Sequence, residues 1–152
     1  MIVQLYNSPH SVTIDDEDFP LISQFNWYFN PEGYALTRKT IDGKRTTIWM
    51  HRLIMGAQKG EKIDHKDGNG LNNHRENLRF ASAGENMYNR RKNKNTSSQY
   101  KGVSRKINRW VASLNYKREK VYIGLFISEE DAARAYDEKA RELYGEFANT
   151  NF

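Results

Sequence analysis

Residues 62 to 92 leave the chain little choice of local structure. Lys62 to His65 is short and extended in pattern, and the Asp67-Gly-Asn-Gly70 cluster behind it demands a loop. Leu78 to Ala81 reads as a second short strand. Ser82-Ala-Gly-Glu85 has the spacing of a capping box and predicts a helix through about Lys92. The order is strand, loop, strand, helix. With no cysteine among 152 residues, neither a disulfide nor a thiolate zinc site can staple so small an element. Stability has to come from packing, in units whose cores are thin.

The flanks are equally readable. Residues 33–50, GYALTRKTIDGKRTTIWM, form two alternating runs around Asp42-Gly43, which tolerates positive φ at both central positions of a type I′ hairpin turn. Trp27, Phe29, Tyr34 and Trp49 are expected to form a small core beside that hairpin. His51 to Met55 predicts one or two helical turns, ended by Gly56. Residues 92–99, KNKNTSSQ, contain nothing apolar and read as a linker. Beyond it, residues 102–106, 110–116 and 121–126 look like three strands. Ser128-Glu-Glu-Asp131 is a second capping box, its acids suiting the positive end of a helix dipole. That helix should run to Leu143 or Tyr144 and stop near Gly145. Its alanine-rich stripe lets it sit close on a three-stranded sheet.

Charge is sorted along the chain. The net charge is +5, yet residues 87–125 carry eleven basic side chains against the single acid Glu119, while residues 1–50 and 126–152 are both net acidic. Mixed signs suffice for solubility, so this sorting points to a polyanionic partner, nucleic acid ahead of a membrane. The basic stretch reads as strands, not as the basic amphipathic helix a membrane surface favours. Met1 to Val12 lacks the basic start and apolar run of a signal peptide, and no apolar stretch approaches the roughly 20 residues of a membrane span. A soluble, cytoplasmic protein is expected.

Chemistry concentrates in IDHKDGNGLNNHRENLRFASAGEN. Asp64 and His65 are adjacent, and Asn77 and Asn86 follow 13 and 22 residues after the aspartate. Phosphodiester hydrolysis needs a deprotonated water and something to absorb charge on the leaving oxygen. A Mg²⁺ held by one carboxylate and one neutral oxygen meets the second need. Asp64 supplies the carboxylate and Asn86 the neutral oxygen. His65 titrates near operating pH and can take the proton of water, provided its other nitrogen is held. Asn77 is the candidate for holding it. His51 reads as a packed or capping residue. His74 reads as solvated, and Asn69, Asn72 and Asn73 as loop-shaping.

This segment resembles the His-Asn-His (HNH) nuclease motif, in the variant of phage and group I intron homing endonucleases. The resemblance spans about 36 residues, His51 to Asn86, and places an asparagine where many members carry the third motif histidine. It implies a ββα-metal core, Asp64 and Asn86 as metal ligands, His65 as base and Asn77 as its orienter. The metal is expected to be Mg²⁺, with Mn²⁺ as the alternative. Phage or intron origin in a bacterial host is implied in the same way.

Residues 100–152 resemble the plant Apetala/ethylene-response-factor DNA-binding domain. Tyr100-Lys-Gly-Val103, Trp110-Val-Ala112, Gly124-Leu-Phe126, Ala132-Ala-x-Ala-Tyr-Asp137 and the closing Asn151-Phe152 carry the likeness. The resemblance implies a three-stranded antiparallel sheet in the major groove, backed by one helix. Where that family reads bases with arginines on the first strand, this chain has Lys101, Ser104, Arg105 and Lys106, and its turn before Arg109 is one residue shorter. Lysine is a point charge and not a fork, so the resemblance does not by itself imply the family's base specificity.

The expected architecture is thus α+β, in three parts. A β-rich region (1–50) leads into a ββα-metal nuclease core (51–94), and a three-stranded antiparallel sheet packed on one helix follows (95–152). Expected DNA contacts are Arg75, Arg79, Arg90, Arg91, Lys101, Arg105, Lys106, Arg109, Lys117 and Tyr122. The partner is double-stranded DNA, met by a monomer. The function expected is metal-dependent DNA cleavage. The alternatives are a DNA-binding regulator that no longer cuts and an RNA-binding adaptor.

Overall fold

A computed structural model describes residues 1–152 as an α+β protein of several small antiparallel sheets and few helices. Its contacts divide the chain into two compact units, Met1–Ser82 and Ala83–Phe152. No helix is long and apolar enough to cross a membrane.

The first unit opens with β1 (Ile2–Gln4) and β2 (Ser11–Thr13), an antiparallel pair, followed by the short α1 (Phe19–Ile22) with Pro20 in its first turn. β3 (Tyr28–Asn30), β4 (Tyr34–Ile41) and β5 (Lys44–Trp49) form an antiparallel sheet in that order. The Asp42-Gly43 turn forms as its sequence requires: Ile41 pairs with Lys44, and both turn residues have positive φ, 50° and 74°. α2 (Met50–Ile54) occupies the expected helical turns, with Gly56 at φ 60° beyond it. β6 (Lys62–His65) then pairs antiparallel with β7 (Leu78–Ala81).

One core serves this whole unit. Val12, Ile14, Ile22, Trp27 and Ala35 pack in a single cluster with Met50, Ile54, Ile63 and Leu78, so residues 1–50 supply much of the apolar surface behind β6 and β7. Of the four aromatics expected in this core, Trp27 is buried, its indole N–H bonded to the Ile22 carbonyl at 2.8 Å, and Phe29 packs against the cluster. Tyr34 and Trp49 differ. They are half-buried and stand edge to face with each other beside two histidines.

In the second unit, α3 (Ala83–Tyr88) ends four residues before the expected Lys92. Its last residue is held from outside the helix. The Tyr88 ring stacks on Tyr144 at 4.1 Å, and Lys101 Nζ donates to the Tyr88 carbonyl at 2.8 Å. Nor is the polar stretch 92–99 a free linker. Ser98 Oγ donates to Glu129 Oε1 at 2.6 Å, the Gln99 N–H reaches the same oxygen, and Ser97 Oγ accepts from the Arg105 N–H. Polar side chains thus dock the segment without any apolar anchor, which is why composition alone reads it as loose.

β8 (Val103–Lys106), β9 (Arg109–Tyr116) and β10 (Glu119–Phe126) make an antiparallel sheet in the order β10-β9-β8. α4 (Glu129–Tyr144) starts at a true cap, Ser128 Oγ accepting from the Asp131 N–H, and ends before Gly145. Ala132, Ala133 and Ala140 are fully buried against Val103, Ala112 and Leu114, as the small-residue stripe requires. Asp137, also buried, accepts four hydrogen bonds from the Asn151 and Phe152 backbone and the Asn151 amide, between 2.8 and 2.9 Å. Asn151 in turn bonds the Lys101 N–H at 2.7 Å, so the chain end is tied to the start of the sheet.

Both hairpin tips of this sheet place side-chain-bearing residues in the left-handed region: Ile107 at φ 55°, and Lys117 and Arg118 at φ 49° and 71°. Each costs about 1–2 kcal/mol against glycine. Gly102, by contrast, is where glycine is needed. Its φ is 75°, and a Cβ there would overlap the Tyr136 ring. Gly102→Ala should therefore destabilise the second unit by about 3 kcal/mol, read as a drop in its denaturant midpoint.

Candidate active site

Asp64 and His65 lie on β6, both buried, with Asp64 paired in register with Arg79 and His65 with Leu78 on β7. Residues directly opposite each other in an antiparallel pair share a face. Arg79 accordingly reaches Asp64 Oδ2 through Nε at 2.9 Å and Nη2 at 2.7 Å, with both side chains nearly buried.

The loop between the strands is organised by Asp67. Its Oδ1 accepts from the Asn69 N–H at 2.8 Å and from Asn77 Nδ2 at 3.0 Å, and its Oδ2 from Asn72 Nδ2 at 2.8 Å. Burial, which raises the carboxyl's pKa, is outweighed by these bonds from Asn72, Asn69 and Asn77, and the net shift is downward. Asn77 also donates to the Asn72 carbonyl at 2.8 Å and accepts from the Asp67 N–H at 3.1 Å.

That corrects the expected role of Asn77. Its amide is committed to the loop, and the amide that meets the His65 ring belongs to Asn73, whose Oδ1 lies 3.4 Å from His65 Nε2. Asn73 is fully buried, and its Nδ2 donates to the Gly70 carbonyl, which fixes Oδ1 as the atom facing the imidazole. An amide oxygen can only accept, so Nε2 carries the hydrogen and Nδ1 the lone pair. Burial holds the His65 pKa below its ordinary value, with the Asn73 bond and the carboxylates of Asp67 and Asp64 pulling partly back.

Residues far away in sequence hold this loop. The Asn73 N–H donates to the Thr13 carbonyl at 2.8 Å, and the Thr13 N–H to that of Leu71 at 2.9 Å. Asp15 accepts from His74 Nδ1 at 2.7 Å and from the Arg75 N–H at 2.8 Å; those bonds, from His74 first, lower its pKa. Buried Asp18 takes the Arg75 guanidinium through Nε and Nη2, the shortest contact 2.6 Å. At Gly70, a Cβ would collide with the Gly33 carbonyl and the Tyr34 ring. His74, expected to be solvated, and Arg75, expected to meet phosphate, are each held by an aspartate, with Arg75 still exposed. Aspartates about 60 positions away leave no local signal that could reveal the pairing.

Tyr34 and His51 wall the other side of His65, with ring centroids 5.8 and 5.1 Å from it. His51 Nδ1 is buried without a hydrogen-bond partner. Burial, with His65 and Arg52 nearby, lowers the His51 pKa to about 3.

The residues present fit one kind of metal. No group of three or more His, Cys, Asp or Glu side chains is arranged to hold an ion. A cation here would rest on one carboxylate, neutral oxygens and water, which Mg²⁺ accepts and a four-coordinate zinc site does not. Asp64 offers such a carboxylate, which the Arg79 guanidinium already engages. Asn86, half-buried on α3, belongs to the second unit.

The expected DNA contacts of the second unit sort by register. Ala112 and Leu114 face α4, so Lys106, Arg109 and Tyr122 lie on the outer face of the sheet, all exposed. Arg105 instead pairs with Trp110 on the helix side, its guanidinium 5.8 Å from the indole ring. Lys117 is exposed at the far tip, and Arg90 and Arg91 are exposed beyond α3. Lys101, expected to meet DNA, is bonded within the unit. Its amine bonds the carbonyls of Tyr88 and Asn149, and burial lowers its pKa to about 8.

The buried His51 generates a pH dependence. Unfolded, it takes a proton near pH 6.5; folded, it does so only near 3. Its contribution to stability is full above pH 6.5 and declines as pH falls toward 3. At pH 5 the loss is about 2 kcal/mol. The first unit's stability, followed by denaturant titration, should fall over this range, and His51→Phe should flatten the slope.

Comparison with known proteins agrees with this layout. Residues 49–88 match the family model described as HNH endonuclease. The chain is 35% identical over 147 residues to "Uncharacterized HNH endonuclease L560" of Acanthamoeba polyphaga mimivirus, covering 89% of this chain and 71% of that protein. A shorter stretch of 57 residues is 46% identical to "AP2/ERF and B3 domain-containing transcription repressor TEM1" of Arabidopsis thaliana, 37% of this chain and 16% of that one. Another, of 85 residues, is 34% identical to "Ethylene-responsive transcription factor ERN1" of Medicago truncatula, 54% of this chain and 32% of that one. No solved structure matches the chain. With a relative of this identity matched along most of both chains, this protein belongs to the HNH endonuclease family.

Proposed function

We propose that the protein is a metal-dependent endonuclease of the homing type that hydrolyses phosphodiester bonds in double-stranded DNA. One observation carries the reading: the buried His65 imidazole, met by Asn73 Oδ1 at 3.4 Å, follows Asp64 on the same strand. Such a ring takes a proton from an attacking water, and Asn73 stabilises the imidazolium that results. Asp64 and Asn86 are the residues that would hold Mg²⁺, or Mn²⁺; the ion supplies positive charge to the scissile phosphate and the departing 3′ oxygen. Asn77 acts earlier in the chain of causes, by holding the loop that presents Asn73. We read residues 51–94, with β6, β7 and α3, as the ββα-metal nuclease core, residues 1–50 as its β-rich support, and residues 95–152 as the recognition domain.

In that domain the outer face of the sheet is the side offered to the major groove, with Lys106 and Arg109 on phosphates or base edges and Tyr122 against sugar. A monomer with one catalytic set nicks one strand at a time. Phage or intron origin and action in the bacterial cytoplasm belong to the same proposal.

A second reading, a DNA-binding regulator that does not cut, is favoured by one contact: Arg79 already occupies Asp64 Oδ2. Plasmid nicking separates the two. Supercoiled DNA with Mg²⁺ should be nicked by the protein and at least about 100-fold more slowly by His65→Ala, with binding retained by both. Tight binding without cleavage by either form, in Mg²⁺ or Mn²⁺, would establish the regulator. For the recognition domain, Arg109→Ala should weaken duplex binding similarly across sequences. It should also lower the slope of log K against log salt by about 1, measured by fluorescence anisotropy.

A further inference from the structure

The tip between β8 and β9 is made from residues that such a tip avoids. Lys106 pairs with Arg109, so Ile107 and Asn108 alone form the turn, and Ile107 sits at φ 55°. A β-branched side chain crowds its own backbone there, and glycine, asparagine or aspartate would relieve it. The same protein uses the relaxed solution at Asp42-Gly43. Packing does not explain the choice, since Ile107 is 84% exposed and joins neither core cluster. An apolar side chain is held in water on a backbone that resists it. Strain kept without packing support points to use by a partner.

The surroundings say which partner. Lys106 and Arg109 stand directly beneath the tip, Arg105 donates from Nε to the Ile107 carbonyl at 3.3 Å, and all three are exposed. No acidic residue occurs from Tyr100 to Arg118. One isoleucine is too little apolar surface to anchor a protein in a bilayer. Between two stacked base pairs, one aliphatic side chain is enough to part them. We propose that Ile107 is an apolar wedge that enters duplex DNA at a base step, with Lys106 and Arg109 holding the flanking phosphates. This rests on the reading of the second unit as a duplex-DNA binder, and adds to it a contact that charge does not provide.

The test uses the full chain, a fluorescein-labelled mixed-sequence duplex, a 2-aminopurine-doped duplex and phosphatidylserine vesicles. Ile107→Gly should melt a few degrees higher than the parent, because the turn relaxes. It should nonetheless bind duplex about tenfold more weakly, the loss expected for one buried aliphatic side chain. Its salt slope should be unchanged, since no phosphate contact is removed. The parent should brighten 2-aminopurine on binding, and the variant should not. If Ile107→Gly binds as tightly as the parent while Arg109→Ala binds weakly, the wedge is wrong and the DNA-binding reading stands. If the parent shows no duplex binding at all, both fall. Loss of vesicle binding by Ile107→Gly with duplex affinity intact would overturn the wedge in favour of a lipid surface.

Discussion

In each half of this protein a buried carboxylate gathers hydrogen-bond donors from a distant segment, and the local architecture hangs on it. Asp18 holds Arg75, 57 residues away, and Asp137 holds the last two residues of the chain against α4. A chain with no cysteine has no covalent means of closing such small units. Burying a charge without partners is prohibitive, so a carboxylate supplied with two to four donors acts as a directional staple: it is satisfied in one geometry and costly in any other. Asp67 works in the same way at shorter range. It folds the loop between β6 and β7 around three asparagine groups and so determines where Asn73 stands.

This dependence explains why residues 1–50 matter to a site that lies outside them. β2 lends Thr13 to the loop backbone, the segment after it lends Asp15 and Asp18, and the β3–β4 connection offers a surface against which Gly70 closes. His65 receives its orientation through this chain of contacts. Within the first unit a single apolar cluster runs through residues 1–50 and on into β6 and β7.

What the sequence revealed was what is local. Asp42-Gly43 made its hairpin, three strands and a serine-capped helix formed in the second unit, and the alanine stripe faced the sheet, because each depends on residues within a few positions of one another. What it concealed was partnership at long range. Arg75, Arg79 and Lys101 look alike in sequence as basic residues in polar surroundings. In the fold they are bound to Asp18, to Asp64, and to two backbone carbonyls. The stretch 92–99 looked unstructured for the same reason, its fixing bonds going to Glu129, about 30 residues on. Asn73 was hidden among four similar asparagines, and only burial singles it out.

The charge pattern must then be read with these pairings removed. Of the ten residues expected to meet DNA, the internal partnerships occupy three and the strand register turns Arg105 toward the helix side. Of the eleven basic side chains between residues 87 and 125 only Lys101 is bound internally, and the outer face of the sheet carries Lys106, Arg109, Lys120 and Tyr122. A diffuse cationic surface attracts any phosphate backbone equally, whereas a few cations fixed on a stiff, twisted sheet can be satisfied only in limited registers along a groove. Arg75, still exposed, and Arg79, nearly buried, are each held by an aspartate, and these pairings brace the loop and strand around His65.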